Sequence, residues 1–562
     1  VETLMSRDRE LARKVLELRS MVMNKQQLTA AILVSMAGFA SNAGAVNLNP
    51  NGLGQALIYP YYTVNAGQQT LLSVVNTTNV GKVVKLRFLE GYNGRDVLDF
   101  NLYLSRHDVW TATVFSLGDL PGGTGGDNSF AGIFTTDNSC TDPALIGSGT
   151  FTNPSTGVVQ GYQRFLNYKY TGSANADTGP TTDDRTREGH IEMILMNDVF
   201  IVSALDGYIT HTQPQGIPPD CVSADLQSAT GYAPPTLDPV FGVLADIADG
   251  GLFGSASIVD VAQGTFYAYN ADALDGFTYV SLYTTPGSFA PTLEQVNDRV
   301  SLATATAHLF ANGDTLTATF PGADPNSRPL DAVSAVFTAD NILNEYTTST
   351  DSSVGTDWVM TFPTKRFYVD AQPGGWIPPS TTTAFAPFEE LFGQVNMGQS
   401  CVLIGTGTVD YNREEGHAGI VTCPITCPPG APQEQVCLEA NVIPFQTDSA
   451  LGSILPFPAD PSNGFYGSLA IAPFGDTGWT NVDLATSGSG LSDSGVDGLG
   501  HALYAATNGN VFHGLPVTGF AATKFINGSV PLSGGGNALA NYTAAYHHRA
   551  TSDCTNAIGS CS

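Results

Sequence analysis

Positive charge is scarce in this chain. Only 22 of its 562 residues are Lys or Arg, against 51 Asp and Glu, for a formal charge of −29. So acidic a protein is repelled by phosphate backbones, which argues against nucleic-acid partners. Charge of either sign is thin too, at 13% of residues, about half the usual share. Gly, Thr, Ser, Asn and Ala stand in its place, as they do in many exported β-rich proteins. After the leader, no apolar run reaches the roughly 18 residues that a spanning helix needs. The Gly-x-Ser-x-Gly elbow, His-Glu-x-x-His and the phosphate loop are all missing. No catalytic signature is left to follow.

What is present first is an address. Residues 23–45 read MNKQQLTAAILVSMAGFASNAGA: one Lys, an apolar stretch from Leu28 to Ala40, then small residues at Ala43, Gly44 and Ala45. This is the order of a secretory signal peptide, with cleavage expected after Ala45 and a mature chain starting at Val46. Residues 1–22 precede that signal and read as an over-extended N-terminus, with Met23 as the expected start. No Cys follows the apolar stretch, so a lipid anchor is not expected. The destination is the cell surface, the medium or the periplasm.

The eight cysteines agree with export. Cys140, Cys221, Cys401, Cys423, Cys427, Cys437, Cys554 and Cys561 form an even set, which reads as disulfides in an oxidising compartment. Proximity suggests Cys554 with Cys561 and Cys140 with Cys221, the other four pairing among themselves. Cys423, Cys427 and Cys437 have zinc-like spacing, but the compartment and the stiff Pro424, Pro428 and Pro429 favour staples.

Period-2 alternation dominates the rest. Val84, Leu86 and Phe88 alternate with Lys85 and Arg87; Phe100, Leu102 and Leu104 oppose Asn101 and Tyr103; Trp110, Ala112 and Val114 repeat the pattern. An antiparallel sheet packed on one face is implied, with Asn93-Gly94 as a hairpin turn. Strands are further expected at 189–196, 257–270 (a hairpin around Gln263-Gly264), 335–346, 357–369, 402–409, 467–473 and 515–526. Residues 116–185 read as a long loop insertion, and 475–500 as a Gly/Ser/Asp-rich interruption. One helix is expected near 292–310, headed by a capping box at Thr292-x-x-Gln295. The fold class is therefore mainly β: antiparallel β-sandwich domains with long loop insertions and few helices. Two regions are expected, 46–371 and 381–562, separated by the Pro/Gly-rich stretch 372–380. An outer-membrane barrel is the rival, disfavoured by the cysteines and the irregular strand spacing.

Five strings occur together: LIYPYYTV (57–64), SVVNTT (73–78), LRFLEGYNGRDVLDFNLYLS (86–105), DVWTATV (108–114) and TDWVMTFPTKRFYVD (356–370). They resemble a group of uncharacterised, exported, surface-associated proteins of Gram-negative bacteria. The resemblance implies export and β-structure and brings no catalytic residues with it.

Three sets of residues are candidates for chemistry. An Arg-Glu-(Glu)-Gly-His echo occurs at 187–190 and 413–417. On a strand, Glu188, His190 and Glu192 share a face and could ligate a metal or move protons, as could Glu415 and His417. A plainer reading makes them a solvent-facing polar stripe opposite Ile191, Met193 and Leu195. Asp493 and Asp497, and Asp246 and Asp249 before Gly250-Gly251, offer oxygen ligands at tight turns, so calcium is the one cofactor suggested. Tyr59, Tyr61 and Tyr62, with Phe367 and Tyr368, could form sugar-stacking platforms or pack between sheets. His547-His548 reads as a surface pair.

The reading that follows is an exported, surface-associated structural or adhesive protein without catalytic activity. Its partners would be copies of itself or cell-envelope glycans. The alternative is a secreted carbohydrate-active enzyme or sugar-binding module, which would need a carboxylate pair about 5–10 Å apart in an aromatic-lined cleft.

Overall fold

The computed structural model describes residues 44–120, 129–153, 156–172, 175–201, 203–214, 216–229, 244–245, 250–296, 304–321, 328–349, 353–370, 384–393, 398–404, 407–419, 435–446, 449–455, 471, 473–486 and 500–561. The alternating segments become strands as expected: Gln69–Asn76, Gly81–Glu90, Asp96–Leu104 and Val109–Ser116. Gly94 takes φ 60° in the first hairpin and Gly264 φ 66° in the second, the left-handed conformation that glycine adopts without penalty.

Two sheets make the first sandwich. One runs Asn47–Leu48, Asp272–Asp275, Ala56–Thr63, Glu188–Val199, Gly81–Glu90, Asp96–Leu104, Cys140–Asp142, with Leu244–Ala245 also on the long strand. The other runs Thr265–Asn270, Leu252–Asp260, Gln69–Asn76, Val109–Ser116, Ala131–Phe134, Val159–Arg164, Gly149–Thr152. All the pairings are antiparallel. Their inner faces share one core: Val84, Leu86, Phe88, Phe100 and Ile191 against Leu72, Val74, Trp110 and Ile133. Aligned sheets burying alternate residues are what the period-2 pattern requires.

The sequence implied that the first sheet has a solvated back. It does not. Gly81–Glu90 and Glu188–Val199 are buried at every position, Lys85 and Arg87 included. Arg87 donates to the carbonyls of Ser288, Phe289 and Pro291, and Lys85 to that of Thr285. A cover from far along the chain lies on the polar face. Alternation reports which residues share a face, and cannot report whether a later segment covers it.

The later part of the chain also builds a second pair of sheets. One runs His417–Gly419, Val409–Asn412, Thr477–Asp483, Asn341–Thr347, Arg549–Thr551; the other Ala440–Pro444, Val354–Thr361, Thr518–Phe525, Tyr542–His547. Tyr346 stacks on Phe445 at 5.0 Å between them, and Trp358 packs on Phe445 at 5.2 Å. Strands before 371 and after 381 thus pair directly, and residues 45–562 form one compact unit. The stretch 372–380 itself lies outside the described residues.

Several local expectations are corrected. The capping box forms, with Thr292 and Gln295 bonding reciprocally, but it heads a single 3-10 turn, and Thr304–Ala311 is a strand paired with Asp314–Pro321. Residues 116–185 hold four short strands. A helix, Leu330–Phe337, precedes the Asn341–Thr347 strand, and a helical turn, Arg366–Val369, follows Val354–Thr361. Strand Thr477–Asp483 occupies part of the expected 475–500 interruption. The segment expected at 467–473 lies largely outside the described residues. Disulfides join Cys140 to Cys221 and Cys554 to Cys561, as expected, and Cys401 to Cys437; Cys423 and Cys427 are outside the described residues.

Trp358 is fully buried, packs on Phe445 and His548, and donates its Nε1–H to the Glu345 carbonyl at 3.3 Å. Trp358→Ala should therefore cost about 3–5 kcal/mol, read as a lowered urea midpoint of the 46–562 chain.

Candidate functional site

The face that carries Glu188, His190 and Glu192 is the same buried polar face. Period-2 geometry does bring the three side chains to one side of the Glu188–Val199 strand, with Ile194 and Met196 farther along it. None of them meets solvent, so the stripe is not the solvent-facing one expected. Glu188 accepts from Tyr61 Oη at 2.5 Å, Ser453 Oγ at 2.8 Å and the Ile454 amide at 2.8 Å. Burial raises its carboxyl above the ordinary glutamate value. Glu192 is held by the Arg366 guanidinium at 3.1 and 3.4 Å.

His190 lies between them with its Nε2 at 3.6 Å from Glu439 Oε1 and 4.0 Å from Glu192 Oε1. Among the described residues, neither ring nitrogen finds a hydrogen-bond partner, nor does either Glu439 carboxyl oxygen. Burial pushes the imidazole down to about 3 and pushes the Glu439 carboxyl well up. Burial thus disfavours the charged form of both groups, as it does for any ionisable group taken out of water. Gly94 packs directly against this acid: a Cβ there would stand 2.3 Å from Glu439 Oε1. That glycine serves the turn and the contact together.

Beside this pair is an ionic knot that sequence reading missed. Arg185 meets Glu90 through Nε and Nη2, at 3.0 and 2.8 Å, and Asp177 through Nη1 and Nη2, at 2.9 and 2.8 Å. Its guanidinium sits 4.1 Å from the Tyr170 ring and 5.1 Å from the Tyr92 ring. Although burial pushes the Asp177 carboxyl up, Arg185 holds it below the ordinary aspartate value. Glu90 also accepts the amides of Tyr92, Asn93 and Arg95 at 2.8, 3.0 and 3.0 Å, which closes the hairpin turn. Arg95 and Asn93 reach on to Asp370 at 2.7 and 3.0 Å. The run Glu90-Gly-Tyr-Asn-Gly-Arg95, with three hydrogen-bonding side chains around a turn, was the available signal.

The Glu188 and Glu192 oxygens are committed to hydroxyls, amides and Arg366, and no His/Cys/Asp/Glu group among the described residues is arranged to hold an ion. Glu415 and His417 do not join this cluster. Both are exposed, on or beside the short His417–Gly419 strand of another sheet. Asp493, Asp497, Asp246 and Asp249 lie outside the described residues, and calcium at those loops with them.

Of the two readings of the aromatic residues, packing is the one found. Tyr59, Tyr61, Tyr62, Phe367 and Tyr368 are all buried, Tyr59 and Tyr62 in the core between the first two sheets and Phe367 and Tyr368 in the larger core beyond them. His547 is exposed and pairs with Asp272 at 3.2 Å, but His548 is buried. His548 Nε2 donates to the Val359 carbonyl at 2.9 Å and Nδ1 faces the Asn344 amide at 3.1 Å, so the neutral tautomer is fully satisfied.

Open surfaces are of another kind. A groove of about 330 Å³ crosses the outer face of the second sheet, lined by Leu71, Ser73, Thr111, Thr113, Ser255 and Ser257 among others, with no carboxylate in its wall. On the other sandwich, Tyr411 stacks on Trp479 at 4.5 Å and lies 5.6 Å from His417.

Arg185→Ala leaves Glu90 and Asp177 as uncompensated buried charges and is expected to cost about 3–5 kcal/mol in a denaturant titration. His548 should contribute to acid sensitivity, as His190 does, since burial pushes it down to about 3. A depressed histidine contributes in full above about pH 6.5, its unfolded value, and that contribution is lost as pH falls towards the folded value. Below about pH 6.5 the wild type should lose ground to His548→Gln by about 1.4 kcal/mol per pH unit, read from paired urea midpoints.

Neither a protein-family model, nor a curated protein, nor a solved structure matches this chain.

Proposed function

We propose that the protein is an exported, surface-associated structural or adhesive protein that works without catalysis, through its open sheet faces. The observation that carries this reading is the division of polar groups. The ionisable cluster of Glu90, Asp177, Arg185, His190, Glu192 and Glu439 is sealed inside, where it can reach no external substrate. The open groove is walled by hydroxyls and aliphatic groups, a surface suited to contact. Three disulfides fit an oxidising compartment. No helix among the described residues is long and apolar enough to cross a membrane. The second reading, sugar binding, draws on the partly exposed aromatic row at Tyr411 and Trp479.

Sedimentation of the purified 46–562 chain, with calcium and then with chelator, tests the proposal. Large or ordered assemblies are expected, and their loss in chelator would place calcium at the contacts. A monomer under both conditions that steadily hydrolyses an envelope polysaccharide overturns it.

A further inference from the structure

The second sandwich turns outward a row of side chains that its core does not use. In strand Thr477–Asp483, Thr480 and Val482 point inward while Trp479 points out, with 40% of its surface exposed. Trp479 is the direct cross-strand partner of Tyr411, and Tyr411 of His417. Tyr411 and Trp479 lie parallel within 8° at 4.5 Å; His417 follows at 5.6 Å and 37°. Glu345 faces Trp479 from the next strand and is exposed. Three rings on adjacent strands thus span two strand spacings, about 10 Å.

The turn that places His417 is built in advance. Glu415 takes φ 63°, rare for a residue with a side chain. The Asn412 side-chain oxygen holds it there by accepting the amides of Glu414 at 3.0 Å and Gly416 at 2.8 Å. Gly416 lets the Phe474 ring close in, since a Cβ would meet its Cε1 at 2.6 Å. Phe474 is itself 41% exposed. Glu345, directly opposite Trp479, and Asn481, two residues along the same strand, supply a carboxylate and an amide on the face that carries the row.

We propose that this row is a binding subsite for an uncharged oligosaccharide. The inference rests on the sugar-binding reading and narrows its ligand class. A sugar ring has an apolar C–H face and a rim of hydroxyls. Aromatic rings accept the first, and side-chain amides and carboxylates bond the second. Charge selects among glycans: Glu345, Glu414 and Glu415 stand by the row, and the chain carries −29 overall, so acidic polysaccharides are repelled. Tyr411 and Trp479 turn faces to each other, so Trp479, the more exposed of the two, is the ring that a sugar would meet.

Calorimetric titration of the 46–562 chain tests this, with soluble hexasaccharides of β-1,4-glucose, β-1,4-N-acetylglucosamine and α-1,4-glucose, and with tetramethylammonium. At least one hexasaccharide should bind. Trp479→Ala should weaken it by about tenfold or more, and Trp479→Leu, which keeps apolar bulk without the ring, should weaken it likewise. Leu71→Ala in the distant groove should leave it unchanged. The inference is overturned if no hexasaccharide binds, if both Trp479 variants bind as the wild type does, or if tetramethylammonium alone is taken up. Sedimentation of Trp479→Ala separates the two proposals: assembly retained with sugar binding lost supports the subsite, and assembly lost by the wild type itself counts against the structural reading alone.

Discussion

A guanidinium removed from water must be met by hydrogen-bond acceptors, and carboxylates meet it best. Arg185 between Glu90 and Asp177 meets that demand with four hydrogen bonds and two aromatic neighbours. The first sheet's other buried cations are met in the same way. Lys82 bonds Asp198 at 2.7 Å, Arg366 bonds Glu192, and Arg87 spends its donors on backbone carbonyls. Breaking one partner of such a set costs more than the set contributes, so these residues specify one docking of cover on sheet and disfavour neighbouring ones.

That constraint explains the division between interior and surface. The chain has few basic residues, and several are spent inside: Lys82, Lys85, Arg87, Arg185, Arg328 and Lys365 are all buried. The outer sheet faces are left to hydroxyls, amides and aromatics. Contact through such faces is short-ranged and little affected by salt, in contrast with the steering by long-range charge used by basic nucleic-acid binders. At His190 and Glu439 burial itself disfavours the charged forms.

Much of the strand pattern was legible. Trp110, Ala112 and Val114 alternate with polar neighbours and do face a core; Asn93-Gly94 and Gln263-Gly264 do turn; and two cysteine pairs followed from proximity. The helix expected at 292–310 failed after one turn, because the capping box is a local signal and the following residues found a strand partner at Asp314–Pro321. The tyrosines of LIYPYYTV left two readings open, because a phenol is equally at home at a wet surface and at a hydrogen-bonded interior site; the interior is where they lie. The aromatic row escaped notice because Tyr411 and Trp479 are far apart in sequence and meet only through strand register.

Side-chain alternation, turn glycines and cysteine spacing act within a few residues, so mainly-β architecture and the hairpins could be read along the chain. Whether Glu188, His190 and Glu192 meet water depends on segments such as Arg366–Val369 and residues 437–441, more than a hundred positions away. No local pattern records that cover. The sequence therefore specified which residues share a face, and three-dimensional packing settled which faces are sealed and which remain open to a partner.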